Sequence, residues 1–195
     1  MTQTTAEPSA RLERGDHVCA FYRGRAERDE LLVPYLADGL EAGQNCLAIV
    51  DSGAPEELVA AVGVAEGLAV HTSGEVYLPG GAFDMDNMLD FYAAALDDVA
   101  KDPDGCIRTA GEMSWATNRD VPGASDLLAY EARVNQVLAD HPDTAISLCL
   151  YDVDRFDGET IVGVLRTHPK AVLAGTVVDN PFYIRPEDFI ERRVG

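Results

Sequence analysis

Residues 16–51, DHVCAFYRGRAERDELLVPYLADGLEAGQNCLAIVD, read as strand, loop, helix and strand in direct succession. The apolar run Val18–Tyr22 ends in the loop Arg23-Gly24-Arg25. Leu31, Leu32, Tyr35, Leu36 and Leu40 then recur at helical spacing, and Gly39 and Gly43 mark the helix end. Cys46–Val50 is a short buried-strand run closing on Asp51. Strands alternating with helices run parallel in one sheet, so this unit commits the chain to an α/β sheet with crossover helices. Such a unit carries the phosphate loop of nucleotide-binding α/β proteins. That loop requires G-x-x-x-x-G-K-[ST]: glycines let backbone N–H groups approach the phosphates, lysine pairs with them, and the hydroxyl holds magnesium. The loop after Tyr22 has one glycine, no lysine and no Ser or Thr. The scaffold is there and its phosphate chemistry is missing.

The alternation continues along the chain. Pro55-Glu56-Glu57 starts a helix to about Val62, and a short strand follows around Leu68–His71. Pro79-Gly80-Gly81 is a turn, and Asp84 is placed to cap a long helix reaching about Ala100. The spacing then predicts a strand over Cys106–Ala110, a helix over about Ser125–Ala139, a strand over Ala145–Tyr151, a helix over 157–167 and one strand over Ala171–Val177. The predicted fold is a three-layer α/β/α sandwich with a mostly parallel central sheet. Its expected organisation is a flexible segment at 1–14, one domain at 15–185, and a C-terminal tail at 186–195.

The chain has 195 residues, 47% of them hydrophobic, which suits one globular domain. Asp and Glu number 34 against 15 Lys and Arg, a formal net charge of −19. Nucleic-acid backbones and anionic membranes both demand clustered cations, so neither is expected as a partner. The N-terminus lacks the apolar core of a signal peptide, and no stretch approaches a membrane span. Cys19, Cys46, Cys106 and Cys149 lie within apolar runs without C-x-x-C spacing, as reduced core thiols of a cytoplasmic protein would.

Several short motifs carry a resemblance: His17-Val-Cys-Ala-Phe-Tyr22, Gly39-Leu-x-x-Gly43, Tyr77-Leu-Pro-x-Gly, Gly111-Glu-Met-Ser-Trp115, Tyr130-Glu131 with Asn135, Tyr151-Asp152 with Phe156, and Leu165-Arg-Thr-His-Pro169. In this order, over about residues 15–185, they resemble the MEDS domain, the sensory domain of methanogens, methylotrophs and the dichloromethane-responsive regulator. The resemblance implies a RecA/KaiC-like, P-loop-derived fold and a prokaryotic signalling input domain for small hydrocarbon derivatives. It also implies a signalling partner: a histidine kinase, an anti-sigma factor or a transcription regulator. Aligned on the Gly39–Gly43 helix end, Glu27-Arg28-Asp29 falls where such ATPases carry Gly-Lys-Thr, and the strand-end acid falls near Glu112. Arg28 retains the ability to pair with an anion, whereas Asp29 repels phosphate.

In parallel α/β sheets, ligands bind outside the carboxyl ends of the strands. Phe21, Tyr22, Asp51, Glu112, Met113, Ser114, Trp115, Tyr151 and Asp152 occupy those ends, with Arg28 beside them. Aromatics with a few carboxylates suit an apolar pocket with polar orienting groups, although core packing and helix capping use the same residue types. His17 and Cys19 share a strand face and are the candidates for a zinc or haem ligand pair, with Cys46 and Cys149 able to approach through the fold. For His71, His141 and His168, next to turn residues, capping or exposure is expected. Glu131 and Asn135, at i and i+4, suit either a pocket wall or a surface pair. Ser114 lies outside G-x-S-x-G, so no catalysis and no cofactor are expected. A small organic ligand is the leading expectation. A degenerate nucleotide binder, a ligand-free interaction module, a haem or metal sensor and a homodimer stay open.

Overall fold

The computed structural model describes residues 12–51, 53 and 55–194. The first unit forms as read: β1 (His17–Tyr22), α1 (Gly24–Glu41) and β2 (Asn45–Val50). After them come α2 (Pro55–Val62), β3 (Leu68–Thr72), the short α3 (Ser73–Val76), α4 (Met85–Val99), β4 (Ile107–Glu112), α5 (Leu127–Asp140), β5 (Ala145–Asp152), α6 (Gly158–Thr167), β6 (Lys170–Leu173), β7 (Thr176–Asp179) and α7 (Pro186–Val194). The expected Asp84 cap is in place, and Asp157 caps α6 in the same way. The Asp84 carboxylate accepts the Asn87 N–H at 3.0 Å, and Asp157 accepts the Thr160 N–H at 2.8 Å.

One seven-stranded sheet runs β3-β2-β4-β5-β1-β6-β7, and every pair is parallel except β6 with β7. The single strand expected over Ala171–Val177 is instead a hairpin of β6 and β7. Ala174 (φ 49°) and Gly175 (φ 77°) both take positive φ, the backbone a tight two-residue hairpin turn demands. Ala-Gly is a weak turn signature, which is why composition alone carried the strand through it.

Strand alternation divides the core into two. Val18, Ala20, Tyr22, Ala48, Val50, Leu148 and Leu150 face α1 and α2, against Leu32, Tyr35, Leu36 and Leu58. Cys19, Ile49, Cys149 and Tyr151 face the opposite layer, against Tyr92, Leu96, Tyr130, Val134 and Val164. Arg108 and Thr109, which interrupt the apolar run of β4, are satisfied by polar partners. The Arg108 guanidinium donates to the Tyr35 carbonyl and Gln44, both at 2.8 Å, and the Thr109 hydroxyl to Ser147 at 3.0 Å. Cys19, Cys46, Cys106 and Cys149 are all buried and none forms a disulfide.

The N-terminal segment read as flexible lies mostly outside the described residues. Within it, Arg14 donates to the carbonyls of Asp104, Gly105 and Asp143. Most of the stretch read as a tail is α7, which packs on α5 and α6 and buries Phe189. Among the described residues, no helix is long and apolar enough to cross a membrane.

Candidate functional site

The strands β1, β2, β4 and β5 end side by side, and what lies over their ends decides what can bind there. A single residue, Arg23, joins β1 to α1, so no extended loop follows β1. The Arg23 N–H is held by the Glu27 carboxylate at 2.8 Å. One turn into the helix, Arg28 points inward and is 1% exposed. Its Nη1 donates to Glu112 Oε2 at 3.0 Å, while Nε and Nη2 donate to Asp29 Oδ1 at 2.9 and 2.6 Å. Glu112 also accepts the Tyr22 hydroxyl at 2.7 Å and the Asp51 N–H at 2.8 Å. Asp51 in turn accepts the Trp115 N–H at 2.6 Å.

The residues aligned with Gly-Lys-Thr therefore supply a cation that the protein itself neutralises. Burial alone would push the Glu112 carboxyl up, but Tyr22, the Asp51 N–H and Arg28 outweigh it and hold it below the usual range. Burial and the Glu112 charge push the Tyr22 phenol upward, so it stays a donor.

Asp51 behaves in the opposite way. Burial, helped by the Glu112 charge, pushes its carboxyl up to about 6 against the partial relief from Ser73 and Trp115. The unfolded chain titrates near ~3.9, so folding takes up a proton between those values and stability falls as pH rises from about 4 to about 6. Asp51→Asn keeps an acceptor for the Trp115 N–H and removes the charge. After discounting for partial exposure, we expect it to stabilise by about 1 kcal/mol at pH 7.5, a Tm gain of roughly 2–4 °C. At pH 4 the gain should vanish, and thermal melts at the two pH values check this.

The other residues expected at this edge divide between the two faces of the sheet. Tyr22, Arg28 and Glu112 sit on the α1 side, whereas Phe21, Met113, Trp115 and Tyr151 join the core on the α4–α6 side. Trp115 stacks on Tyr77 with ring centroids 5.4 Å apart, and Phe83 lies 4.5 Å away. Ser114 is buried in a short 3₁₀ turn over Ser114–Thr117. Asp152 closes the turn after β5, its carboxylate accepting the Asp154 N–H at 3.1 Å. Open space lies beyond these residues. A cleft of about 780 Å³ is bounded by the segment after Trp115 (Ala116, Thr117, Val121), by Leu127 and Leu128 of α5, and by Phe156 and Thr160 before and within α6. Arg119, Arg155, Asp157 and Glu159 supply its polar lining.

A second constellation is fully buried on the α4–α6 side. His17 of β1 meets Glu131 of α5, Cys149 of β5 and His168, the residue that ends α6. Their donor atoms lie within 4.8 Å of one another, and among the described residues these four form the cluster able to hold a metal ion. Cys19, expected as the partner of His17, directs its thiol toward the Lys170 carbonyl instead. Cys46 lies on the opposite face. His168 caps the last turn of α6 through the Val164 carbonyl, one of the two roles expected for it, but it is 0% exposed because it closes against β1 and α5. His141 does bond the last turn of its helix, through the Val137 carbonyl at 2.7 Å. Glu131 and Asn135 face inward. The available signal was that Glu131, Asn135 and His168 lie within motifs carrying the family resemblance, Tyr130-Glu131 with Asn135 and Leu165-Arg-Thr-His-Pro169.

The parallel sheet, its strand order and the helices on both faces define a RecA/KaiC-type α/β protein. A KaiC-like protein from the archaeon Pyrococcus horikoshii OT3 superposes with a TM-score of 0.57 at 12% identity, covering 84% of this chain and 80% of that one. A second Pyrococcus horikoshii protein, solved with an unknown peptide, gives 0.57 at 13% identity over 85% and 82%. At such identities the likeness is one of fold. The chain itself belongs to the MEDS family, the methanogen/methylotroph, DcmR sensory domain, which matches residues 16–169. The transcriptional repressor DcmR of Methylorubrum extorquens is 31% identical over 157 residues, 78% of this chain. The chain spans 58% of that repressor's length.

Proposed function

We propose that this chain senses a small organic molecule with an apolar body and a polar end, and passes the change to a signalling partner. A regulatory, signal-transducing role is supported by the sensory family and by the repressor relative. The observation that carries the ligand class is the cleft of about 780 Å³ beyond the ends of β4 and β5. Its size falls in the range of small-molecule sites, and it lies where open α/β sheets take their ligands. Val121, Leu127, Leu128 and Phe156 offer the apolar wall, while Thr117, Thr160 and Arg155 offer polar contacts. The internal Arg28–Glu112 pair supports an organic ligand over a nucleotide, since the cation is already spent. Helix α7, packed on both α5 and α6, is the element that would carry the change outward to a kinase, an anti-sigma factor or a transcription regulator.

Trp115, next to the cleft residue Ala116, is the only tryptophan and reports occupancy. Titration with short-chain alcohols, carboxylates and haloalkanes should shift its emission and raise Tm, and ATP should do neither. Thr160→Phe, which narrows the cleft, should weaken the organic response and leave the fold intact. A shift with ATP alone, or an organic response unchanged in Thr160→Phe, defeats the proposal.

A further inference from the structure

We propose that His17, Glu131, Cys149 and His168 form a closed, four-ligand site for a divalent transition metal ion, zinc foremost. Asn135 donates its Nδ2 to the carbonyls of Glu131, Ala132 and Thr167, which fixes the amide and turns Oδ1 toward His17. The His17 Nδ1, 3.1 Å away, must then be the donor. The His168 Nδ1 lies 2.8 Å from the Val164 carbonyl and is likewise a donor. In its neutral form each ring then directs the lone pair of its Nε2 to the same point. Metal-bound histidines are held this way, with the outer N–H given to a carbonyl or amide oxygen.

That point is shared with a carboxylate and a sulfur. Glu131 Oε2 lies 3.3 Å from His17 Nε2 and 3.4 Å from His168 Nε2. Cys149 Sγ lies 3.4 Å from His17 Nε2 and 3.6 Å from Glu131 Oε2. Tetrahedral zinc bonds of ~2.0–2.1 Å to nitrogen or oxygen and ~2.3 Å to sulfur separate their donors by about 3.4 and 3.6 Å. The two nitrogen–oxygen separations and the sulfur–oxygen one have those lengths, the sulfur–nitrogen one is slightly shorter, and all four donor atoms lie within 4.8 Å of one another. Without an ion, lone pairs would confront the carboxylate. Among the described residues, His168 Nε2 in fact makes no hydrogen bond, although it is completely buried.

The charge balance and outer contacts agree. Glu131 is 0% exposed, and burying a carboxylate requires compensation. With the Cys149 thiolate, two negative ligands neutralise a divalent ion, leaving no net charge in the core. The other carboxylate oxygen, Oε1, accepts the Tyr151 hydroxyl at 2.6 Å, which orients the ligand. Four protein donors leave no open position, so the site is structural. It joins β1, β5, α5 and the end of α6, directly behind the cleft walls.

Protein expressed with zinc and dialysed should retain one zinc per chain, and chelation should lower Tm by roughly 10 °C. Cobalt substitution should give a tetrahedral spectrum with a thiolate charge-transfer band, lost in Cys149→Ser and retained in Cys19→Ser. X-ray absorption of the intact zinc protein reads the same shell without a variant. It should show one sulfur at about 2.3 Å and three N/O donors at about 2.0–2.1 Å. Substoichiometric metal with a chelator-insensitive Tm overturns the site, as does a bound ion with no sulfur neighbour.

Discussion

Arg28→Ala should cost the folded protein about 3–5 kcal/mol, the penalty for removing one partner of a buried ion pair. The Glu112 carboxylate, 2% exposed, stays in the core with the Tyr22 hydroxyl and Asp51 N–H but without the guanidinium beside it. At this chain length the loss corresponds to a Tm fall of roughly 10 °C or more. The double variant Arg28→Met, Glu112→Gln should recover most of it. Gln keeps one acceptor oxygen for the Asp51 N–H, its NH2 can donate to the Tyr22 hydroxyl oxygen in place of the reverse bond, and Met replaces the aliphatic stem of arginine. Urea unfolding followed at Trp115 measures both. A loss below about 1 kcal/mol for the single variant would place the pair with exposed ones and contradict its buried geometry.

Gly123→Ala is expected to cost about 2–4 kcal/mol for two reasons that act together. Gly123 has φ +82°, a backbone state side chains rarely adopt, and a Cβ there would stand 2.1 Å from the Phe83 carbonyl oxygen. That oxygen belongs to a backbone fixed by the Phe83 N–H bond to the Pro122 carbonyl, 2.9 Å, so it cannot swing aside. Phe83 would be pushed against Trp115 and the emission should change with the stability. Gly80→Ala provides the control: its φ is +76°, yet nothing lies within 4 Å of the added carbon. It should lose only the conformational part, about 1 kcal/mol. Equal losses at the two positions would show that crowding against Phe83 contributes nothing.

Local signals were enough wherever the structure is local. The β1–α1–β2 unit, the Asp84 cap and the run Ala145–Tyr151 depend on spacing and capping within a few residues, and each forms where the pattern places it. The β6–β7 hairpin escaped because its turn rests on Ala174 taking positive φ, which tertiary pairing imposes and side-chain type does not announce. The inward turn of Glu131 and Asn135 was equally undecidable, since an i, i+4 pair looks alike on a buried or an exposed face. The strand-end residues were correctly placed at the sheet edge, but the alternation that sends Tyr22 and Phe21 to opposite faces divides them between two environments.

The sequence by itself determined that the chain has a parallel α/β scaffold and that its first loop lacks the Gly-Lys-Thr chemistry of a phosphate site. Those facts are written in neighbouring residues. Only the tertiary structure decided what stands in that place, because Arg28 and Glu112 are brought together by the crossover of α1 over the sheet. It also decided that His17 answers to Cys149 and not to Cys19. Parallel pairing sets β1 beside β5, while α5 and the end of α6 close over the same face. Contacts of that kind arise from strand order and layer packing, which no spacing along the chain encodes.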